Sequence, residues 1–440
     1  MSKFRSQHMA IKWHELIDVD SCSAAVNASL KDKASLVGRV GLMMLSSGTG
    51  AWRVRASMNK TARALGIVCN ADIGLLSIEY TCVDEDESYT GALSINTTSV
   101  NNDRLDAIEF FTDTFAGKAE KYSVEQFHTI LDSIAAKPGN YRPWQLSLAS
   151  GFACMAFAFL LGGGLPEMLL SFFGAAAGML VRKLLIDRHI TLLANVTLAV
   201  ITASTVYMLL SRLGGLAFGL PSSHEAGYIC SMLFVIPGFP LITGGFDIAK
   251  LDLRSGLERL AYAFLIIITA ALTGWLTAVA FGITPSDFPE QQLPAALKYP
   301  LRMLASFVGV YGFSYLFNSK RRMAVAAGII GMIANTLRFV LLDFTSVPAG
   351  AAAFAGAFAA GLLASLIKQR IGYPRITLTV PSIVIMVPGM YLYKGIYYLG
   401  IYDIASGSMW LTKAVLIMSG LPLGLIAARI LTDRNFRKSS

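Results

Sequence analysis

The chain has 440 residues, is 54% hydrophobic and only 15% charged, and carries a formal net charge of +9. Apolar runs of membrane-spanning length fill everything after Trp144, which excludes an ordinary soluble protein of two or three domains. Five scattered cysteines (Cys22, Cys69, Cys82, Cys154 and Cys230), with no C-x-x-C pair, indicate neither a disulfide framework nor a zinc site.

In chain order, the opening "MSKFRSQHMAIKWHELIDVD" has no apolar core of signal-peptide length, so export of the soluble part is not expected. Residues 1–140 carry charges throughout and read as a small cytoplasmic α/β domain. Helices are predicted at 34–46 and 51–65 around "SSGTG", strands at 72–81 and 89–95, and helices at 103–118 and 123–136, the last opening on Ser123 and Glu125. "SSGTGAWRV" lacks the Lys-Ser/Thr pair of a phosphate loop and reads as a turn between helices. His14 and His128 have no partner at useful spacing, so neither an ATP-driven pump nor a hydrolase is indicated.

Ten candidate spans follow, at 144–162, 166–184, 190–210, 227–247, 260–282, 301–317, 323–342, 349–367, 377–398 and 409–430. Basic residues cluster in alternate loops: Arg182, Lys183 and Arg188; Lys250, Arg254 and Arg259; Lys320, Arg321 and Arg322; Lys368, Arg370 and Arg375; and the tail with Arg434, Arg437 and Lys438. The other loops hold only Arg212 and Lys298. Positive charge stays cytoplasmic, so both termini are placed there and the net charge is topology, not a nucleic-acid surface.

"VIPGFPLITGG" and "MVPGMYLYKGI" align at a shift of 151, which pairs Pro237 with Pro388, Gly238 with Gly389, Leu241 with Leu392 and Gly244 with Gly395. The match continues through Asp252 and Asp403, Ser255 and Ser406, Gly256 and Gly407. A five-span repeat has an odd number of crossings, so the second copy inserts upside down. The expected fold is a polytopic α-helical membrane protein of ten spans in two inverted five-helix repeats, 144–284 and 300–431, behind the cytoplasmic domain. Two Pro-Gly breaks inside apolar helices free backbone groups, which is tolerated where they line a cavity. The expected substrate site is therefore shaped by Pro237, Gly238, Pro388 and Gly389. Asn335, Arg338 and Lys394 are expected to hold a carboxylate, and Asp247 an amine or a coupling proton. Glu167 and Asp343 sit near span ends and read as interfacial, while His224 and Glu225 fall in a loop. The stripes "GAAAGML" and "AFAGAFAAG" read as helix-packing surfaces. No catalytic residue, cofactor or metal ligand is expected.

Three stretches carry a family resemblance: "LMMLSSGTGAWRVRASMNKTARALGI", "YRPWQLSLASGFACMAFAFLLGG" and "VPSIVIMVPGMYLYKGIY". In order and spacing the chain resembles the threonine/serine exporter family, in the form that fuses two parts end to end. The match runs over about residues 34–430, with Arg55 departing from the acidic residue that often follows "RV" there. The resemblance implies an inner-membrane exporter of threonine and serine coupled to the proton-motive force, with small-molecule substrate, protons and lipid as partners and homo-oligomers allowed. A dicarboxylate exporter handling succinate is the alternative on the same scaffold. A membrane-anchored hydrolase or sensor is a third reading, and the repeat counts against it, because an anchor has no need of two matched helix breaks.

Overall fold

The computed structural model describes residues 11–17, 23–219, 227–283, 293–434 and 436–437. Cys22, His224 and Glu225 lie outside the described residues. Contacts divide the chain into two compact units. One comprises residues 1–139 with 246–259, the other 140–245 with 260–440. The first takes in a segment 100 residues away in sequence, the connection that follows the first Pro-Gly break.

The N-terminal unit opens with α1 (Leu30–Ser46) and α2 (Ala51–Ala64). Ser29 starts α1 by accepting the Asp32 N–H at 3.2 Å, and Gly48, at φ 84, turns the chain before α2. Strands β1 (Val68–Ile73), β2 (Ser77–Asp84) and β3 (Glu87–Ser94) form an antiparallel sheet in that order. Along β1 and β2 the inward residues are Cys69, Ala71, Ile73, Ile78, Tyr80 and Cys82, all buried. This period of two puts one face against α1, where Val37, Val40 and Met44 are fully buried. The expected strand at 72–81 is thus two strands, parted at Gly74–Leu76, where the Gly74 N–H donates to the Ser77 carbonyl at 2.9 Å. The turn was hidden because Leu75 and Leu76 keep the run apolar across it, although the inward positions slip by one residue, from odd numbers in β1 to even numbers in β2.

Helices α3 (Asn102–Ala119) and α4 (Val124–Ala136) complete the unit, α4 starting in a reciprocal cap between Ser123 and Gln126. Phe111, Phe115 and Phe127 pack between them, the last two with ring centroids 4.4 Å apart. Burying each such ring contributes about 1.5–3 kcal/mol.

The bundle unit runs α5 (Pro143–Leu160), α6 (Leu165–Asp187), α7 (Leu192–Phe218), the short α8 (Tyr228–Ser231), the start of α9 (Gly238–Ala249), and α10 (Leu253–Ala280). It continues with α11 (Ala295–Leu316), α12 (Arg321–Phe344), α13 (Ala349–Ile371), α14 (Arg375–Val384), α15 (Gly389–Gly400) and α16 (Ile404–Thr432). Two places bend sharply. Tyr228–Val235 meets α9 at 55°, and α14 meets α15 at 51°. Among the described residues, seven helices are long and apolar enough to cross a membrane, or nine with each bent pair taken as one span. The chain is therefore a multi-pass membrane protein. The sixth expected span, 301–317, falls in α11, which does not reach that hydropathy because Lys298, Pro300 and Arg302 occupy its first turns.

Small residues set the closest helix approaches. A Cβ on Gly420 in α16 would stand 2.5 Å from the Gly350 carbonyl oxygen in α13, so only glycine lets those two backbones touch.

Candidate functional site

Both breaks have the same backbone. The Gly238 N–H donates to the Ile236 carbonyl at 2.9 Å, and the Gly389 N–H donates to the Val387 carbonyl at 2.9 Å. The Leu241 and Leu392 N–H groups reach back to the Pro237 and Pro388 carbonyls at 3.2 and 3.0 Å. All four residues, Pro237, Gly238, Pro388 and Gly389, are buried. A Cβ on Gly238 would stand 2.5 Å from Val384 Cγ2 and 3.4 Å from Val387 Cγ2. A Cβ on Gly389 would stand 2.9 Å from Leu233 Cδ2 and 3.3 Å from Ile236 Cγ1. At the shift of 151, Leu233 and Ile236 are the counterparts of Val384 and Val387. Each break therefore packs on the other's counterpart residues.

Phe157 and Phe313 close this crossing from two further helices. The cavity there measures about 10 Å³, room for about one water, against roughly 300 Å³ at the least for a typical ligand pocket. No organic solute fits the cavity as the breaks stand. A second cavity of about 10 Å³ lies beside it under Met232, Ile267 and Tyr393. The buried hydroxyls of Tyr228 in α8 and Tyr393 in α15 hydrogen-bond to each other, with their rings edge to face at 5.9 Å. That bond ties the first piece of one bent span to the second piece of the other.

The broken backbone needs partners in an apolar medium. Arg182 supplies one, its Nη1 donating to the Phe234 carbonyl at 3.4 Å. Arg182 was expected in a loop, but lies inside α6, which runs three residues past the predicted span end at 184 before the chain turns at Arg188. Asn195 in turn donates to the Arg182 carbonyl at 3.1 Å.

The polar residues expected at the site fall in two places. Asn335 and Arg338 lie one turn apart on α12, with Arg338 Nη1 donating to Asn335 Oδ1 at 3.3 Å and Asn335 Nδ2 donating to Ser306 Oγ at 2.9 Å. Arg338 Nε is buried with no hydrogen-bond partner, and Tyr391 lies within its electrostatic reach. The Tyr391 ring lies tilted against Trp410 with centroids 5.1 Å apart, and Lys394 Nζ sits 4.7 Å above the Trp410 ring. Lys394, 3% exposed, and Tyr391 thus meet on the Trp410 ring. An aromatic face attracts a cation through the negative charge of its π face. Sequence reasoning missed Ser306, Tyr391 and Trp410, because aromatic and hydroxyl residues in an apolar run read as packing.

Asp247 belongs to the other place, in the N-terminal unit. It is fully buried and accepts hydrogen bonds from the Ala51 N–H, Ser255 Oγ and Arg259 Nε. Glu167, read as interfacial, is also fully buried, and accepts the Gly164 N–H at 2.8 Å in the first turn of α6. Asp343 is held by Tyr299 at 2.9 Å and Arg302 at 2.5 Å.

The N-terminal unit brings together Ser35 and His128, a contact 93 residues apart that no local spacing announces. Ser35 Oγ stands 3.0 Å from His128 Nε2, and Arg39 Nη1 stands 3.0 Å from His128 Nδ1. A guanidinium only donates, so Nδ1 is the acceptor and Nε2 carries the hydrogen. His128 therefore donates to Ser35, whose hydroxyl passes on to the Asp32 carbonyl at 2.7 Å. This wiring runs opposite to a serine activated by a base. Burial, then the nearby charges of Arg39 and His14, push the His128 imidazole down to about 3. Asp132, beyond it, pairs with Arg39 and His14.

A family model described as "Putative threonine/serine exporter" matches residues 35–282, and a second, "Threonine/Serine exporter, ThrE", matches residues 302–431. The chain is 24% identical over 384 residues to "Threonine/serine exporter" of Corynebacterium glutamicum, covering 82% of this chain and 75% of that protein. It is 21% identical over 409 residues to "Probable threonine/serine exporter" of Mycobacterium tuberculosis, covering 88% and 74%. It is 27% identical over 252 residues to "Probable succinate transporter subunit YjjP" of Escherichia coli, covering 53% and 91%. No solved structure matches the chain.

Proposed function

Because the chain belongs to the threonine/serine exporter family, we propose that it is a secondary exporter of small hydrophilic amino acids, threonine and serine first, driven by the proton-motive force across a bacterial inner membrane. The N-terminal unit and both termini lie on the cytoplasmic side in this reading, as the basic loops indicate. The observation that carries it is the reciprocal packing of the two breaks, Gly238 on Val384 and Val387, Gly389 on Leu233 and Ile236. Contacts exchanged between counterparts are what a two-fold axis produces, which supports two inverted repeats of five spans meeting at mid-membrane. Rocking one repeat against the other parts the breaks, separates Tyr228 from Tyr393 and enlarges the cavity.

Arg338, Asn335 and Lys394 then receive the carboxylate, and Pro237, Gly238, Pro388 and Gly389 shape the path to it. Asp247 serves as amine ligand or proton carrier only with its ion pair to Arg259 open. That condition favours a second reading, export of a dicarboxylate such as succinate. Arg338 and Lys394 offer two cations for two carboxylates, and the relative from Escherichia coli bears the succinate name.

Counterflow in proteoliposomes separates the readings. Vesicles loaded with serine, threonine or succinate are offered each labelled solute under an imposed pH gradient. Labelled serine accumulating against serine, and collapsing with the gradient, supports the first reading; accumulation of succinate alone supports the second. Lys394→Ala is expected to abolish uptake at normal expression, and full transport by that variant removes the site assignment.

A further inference from the structure

The segment 246–259 is fastened to the N-terminal unit by buried charge. Asp247 is fully buried, and the Ala51 N–H lies 2.9 Å from its Oδ1 and 3.1 Å from its Oδ2. Ser255 Oγ donates to Oδ2 at 2.9 Å, and Arg259 Nε donates to Oδ2 at 3.1 Å. Arg259, 2% exposed, also donates through Nη2 to the Thr49 carbonyl at 2.7 Å. The carboxylate thus caps the N-terminus of α2, where the helix dipole favours negative charge. Gly50 is the residue that allows it, since a Cβ there would stand 2.6 Å from Asp247 Oδ1.

Outer contacts surround this centre. Arg55 pairs with Asp252 at 2.7 Å, so the basic residue that departs from the family pattern has its partner in this segment. Glu258 accepts the Leu75 N–H at 2.6 Å in the β1–β2 turn, and Arg254 pairs with Asp72.

The arrangement is costly if its purpose is only to hold the unit together. Burying an ion pair strips both charges of water, and an apolar pair of similar volume stabilises as well or better. What a buried pair supplies is one allowed geometry. Here it joins the last turn of α9, the first two turns of α10 and the α1–α2 turn. The intervening link is only Lys250–Asp252, with Leu251 held in the left-handed region at φ 65. From Gly238 at the breaks to Asp247 the chain is a single helix, about 13 Å long.

We propose that Asp247 and Arg259 are positioning residues for transport: the N-terminal unit is the anchor against which α9 moves when the two breaks part. The inference rests on the exporter reading for its consequence. Neither residue touches the solute in this role. They fix the far end of α9, so that motion of the bent span is confined to its Gly238 end.

The test uses the full chain with Cys22, Cys69, Cys82 and Cys154 replaced by serine. Cys230 remains, fully buried in α8 on the other piece of the same bent span. Its labelling by a membrane-permeant maleimide and the export kinetics are read in parallel. Asp247→Asn and Arg259→Gln are expected to speed labelling at least tenfold and to lower the maximal export rate at least tenfold, with KM within twofold. Gly50→Ala, which presses on Asp247 with both charges kept, is expected to move both readouts in the same direction and covers the case in which the charge variants fail to fold. Labelling unchanged in every folded variant while the parent exports overturns the anchor and leaves the exporter reading standing. Faster labelling in a chain whose parent exports none of the solutes tested keeps the anchor and removes that reading. A rise in KM at unchanged maximal rate makes these residues solute ligands and overturns the positioning role.

Discussion

Residues 247–259 and 398–410 are one turn built twice. Leu251 and Tyr402 occupy the left-handed region at φ 65 and 63. The Asp252 and Asp403 N–H groups donate to the carbonyls of Asp247 and Tyr398, each at 2.9 Å. The Gly256 and Gly407 N–H groups return to the Asp252 and Asp403 carbonyls at 2.9 and 3.0 Å. The side chains diverge at the two ends. Asp247 and Arg259 in the first copy are Tyr398 and Trp410 in the second. The first pair is a buried ion pair inside the N-terminal unit, while Trp410 in the second lies under Lys394 and beside Tyr391. The backbone of the turn is the same at both positions; the side chains at its two ends are not. One copy fastens the N-terminal unit, and the other carries the ring beneath Lys394.

The hardest way to break this comparison is to remove the charge from one copy and the hydroxyl from the other. Asp247→Ala strands Arg259 in a buried site and is expected to destabilise the N-terminal unit by about 3–5 kcal/mol. Tyr398→Phe is expected to cost less than about 1 kcal/mol. Hydrogen exchange of α1 and α2 in the purified full chain reads both. Equal loss from the two variants would mean that the copies do not differ in load.

A smaller effect is expected where the copies are alike. Gly238→Val and Gly389→Val each push a side chain into the opposite break, an overpacking of about 1–3 kcal/mol. Both are expected to slow export to a similar extent. A tenfold difference between them in maximal rate would show that the two breaks do not serve one passage in the same way.

Trp410→Phe weakens the aromatic face under Lys394, a change of about 1 kcal/mol. Export KM is expected to rise several-fold, with exchange in the N-terminal unit untouched. Should exchange there rise instead while KM stays fixed, the second copy would be carrying the first copy's task.

The sequence made the helix-break pairs legible because proline and glycine act locally: the shift of 151 that aligns Pro237 with Pro388 also aligns their backbone hydrogen bonds. Helices of the N-terminal unit were legible for the same reason, through Ser123 and the apolar period of α1. The partner of Asp247 was not. Read along the chain, Asp247 ends an apolar run and Arg259 belongs to a basic loop, and each has a sufficient explanation there. Their meeting with Thr49 and Ala51 depends on a fold contact some 200 residues away, for which no spacing rule exists. His128 failed similarly, since Ser35 and Arg39 reach it across 93 and 89 residues. Trp410 was hidden differently: its membership of a cation site depends on Lys394 and Tyr391 turning toward it, while an apolar window counts it only as apolar.

The smallest effect sharpens the comparison with acid. His128 is buried uncharged, its pKa lowered from the ordinary 6.5 to about 3. The unfolded chain therefore takes up a proton near pH 6.5 that the folded unit refuses, so the stabilisation is full above that pH and drains as pH falls toward 3. Between pH 7 and pH 6 the loss amounts to about 0.7 kcal/mol. The acid facing the ring does not reverse the sign: Asp132, which burial would raise, is held below its ordinary value by the hydrogen bonds from His14 and Arg39. Once the intrinsic pH dependence of amide exchange is divided out, hydrogen exchange in α4 and at Leu251–Asp252 is expected to quicken over that interval, whereas Tyr402–Asp403 in the second copy should not respond. His128→Gln removes the titrating ring and is expected to flatten the response at the first copy. If the variant keeps the full acid response, or if both copies quicken together, proton uptake lies elsewhere and the first turn is not specifically coupled to the unit that His128 stabilises.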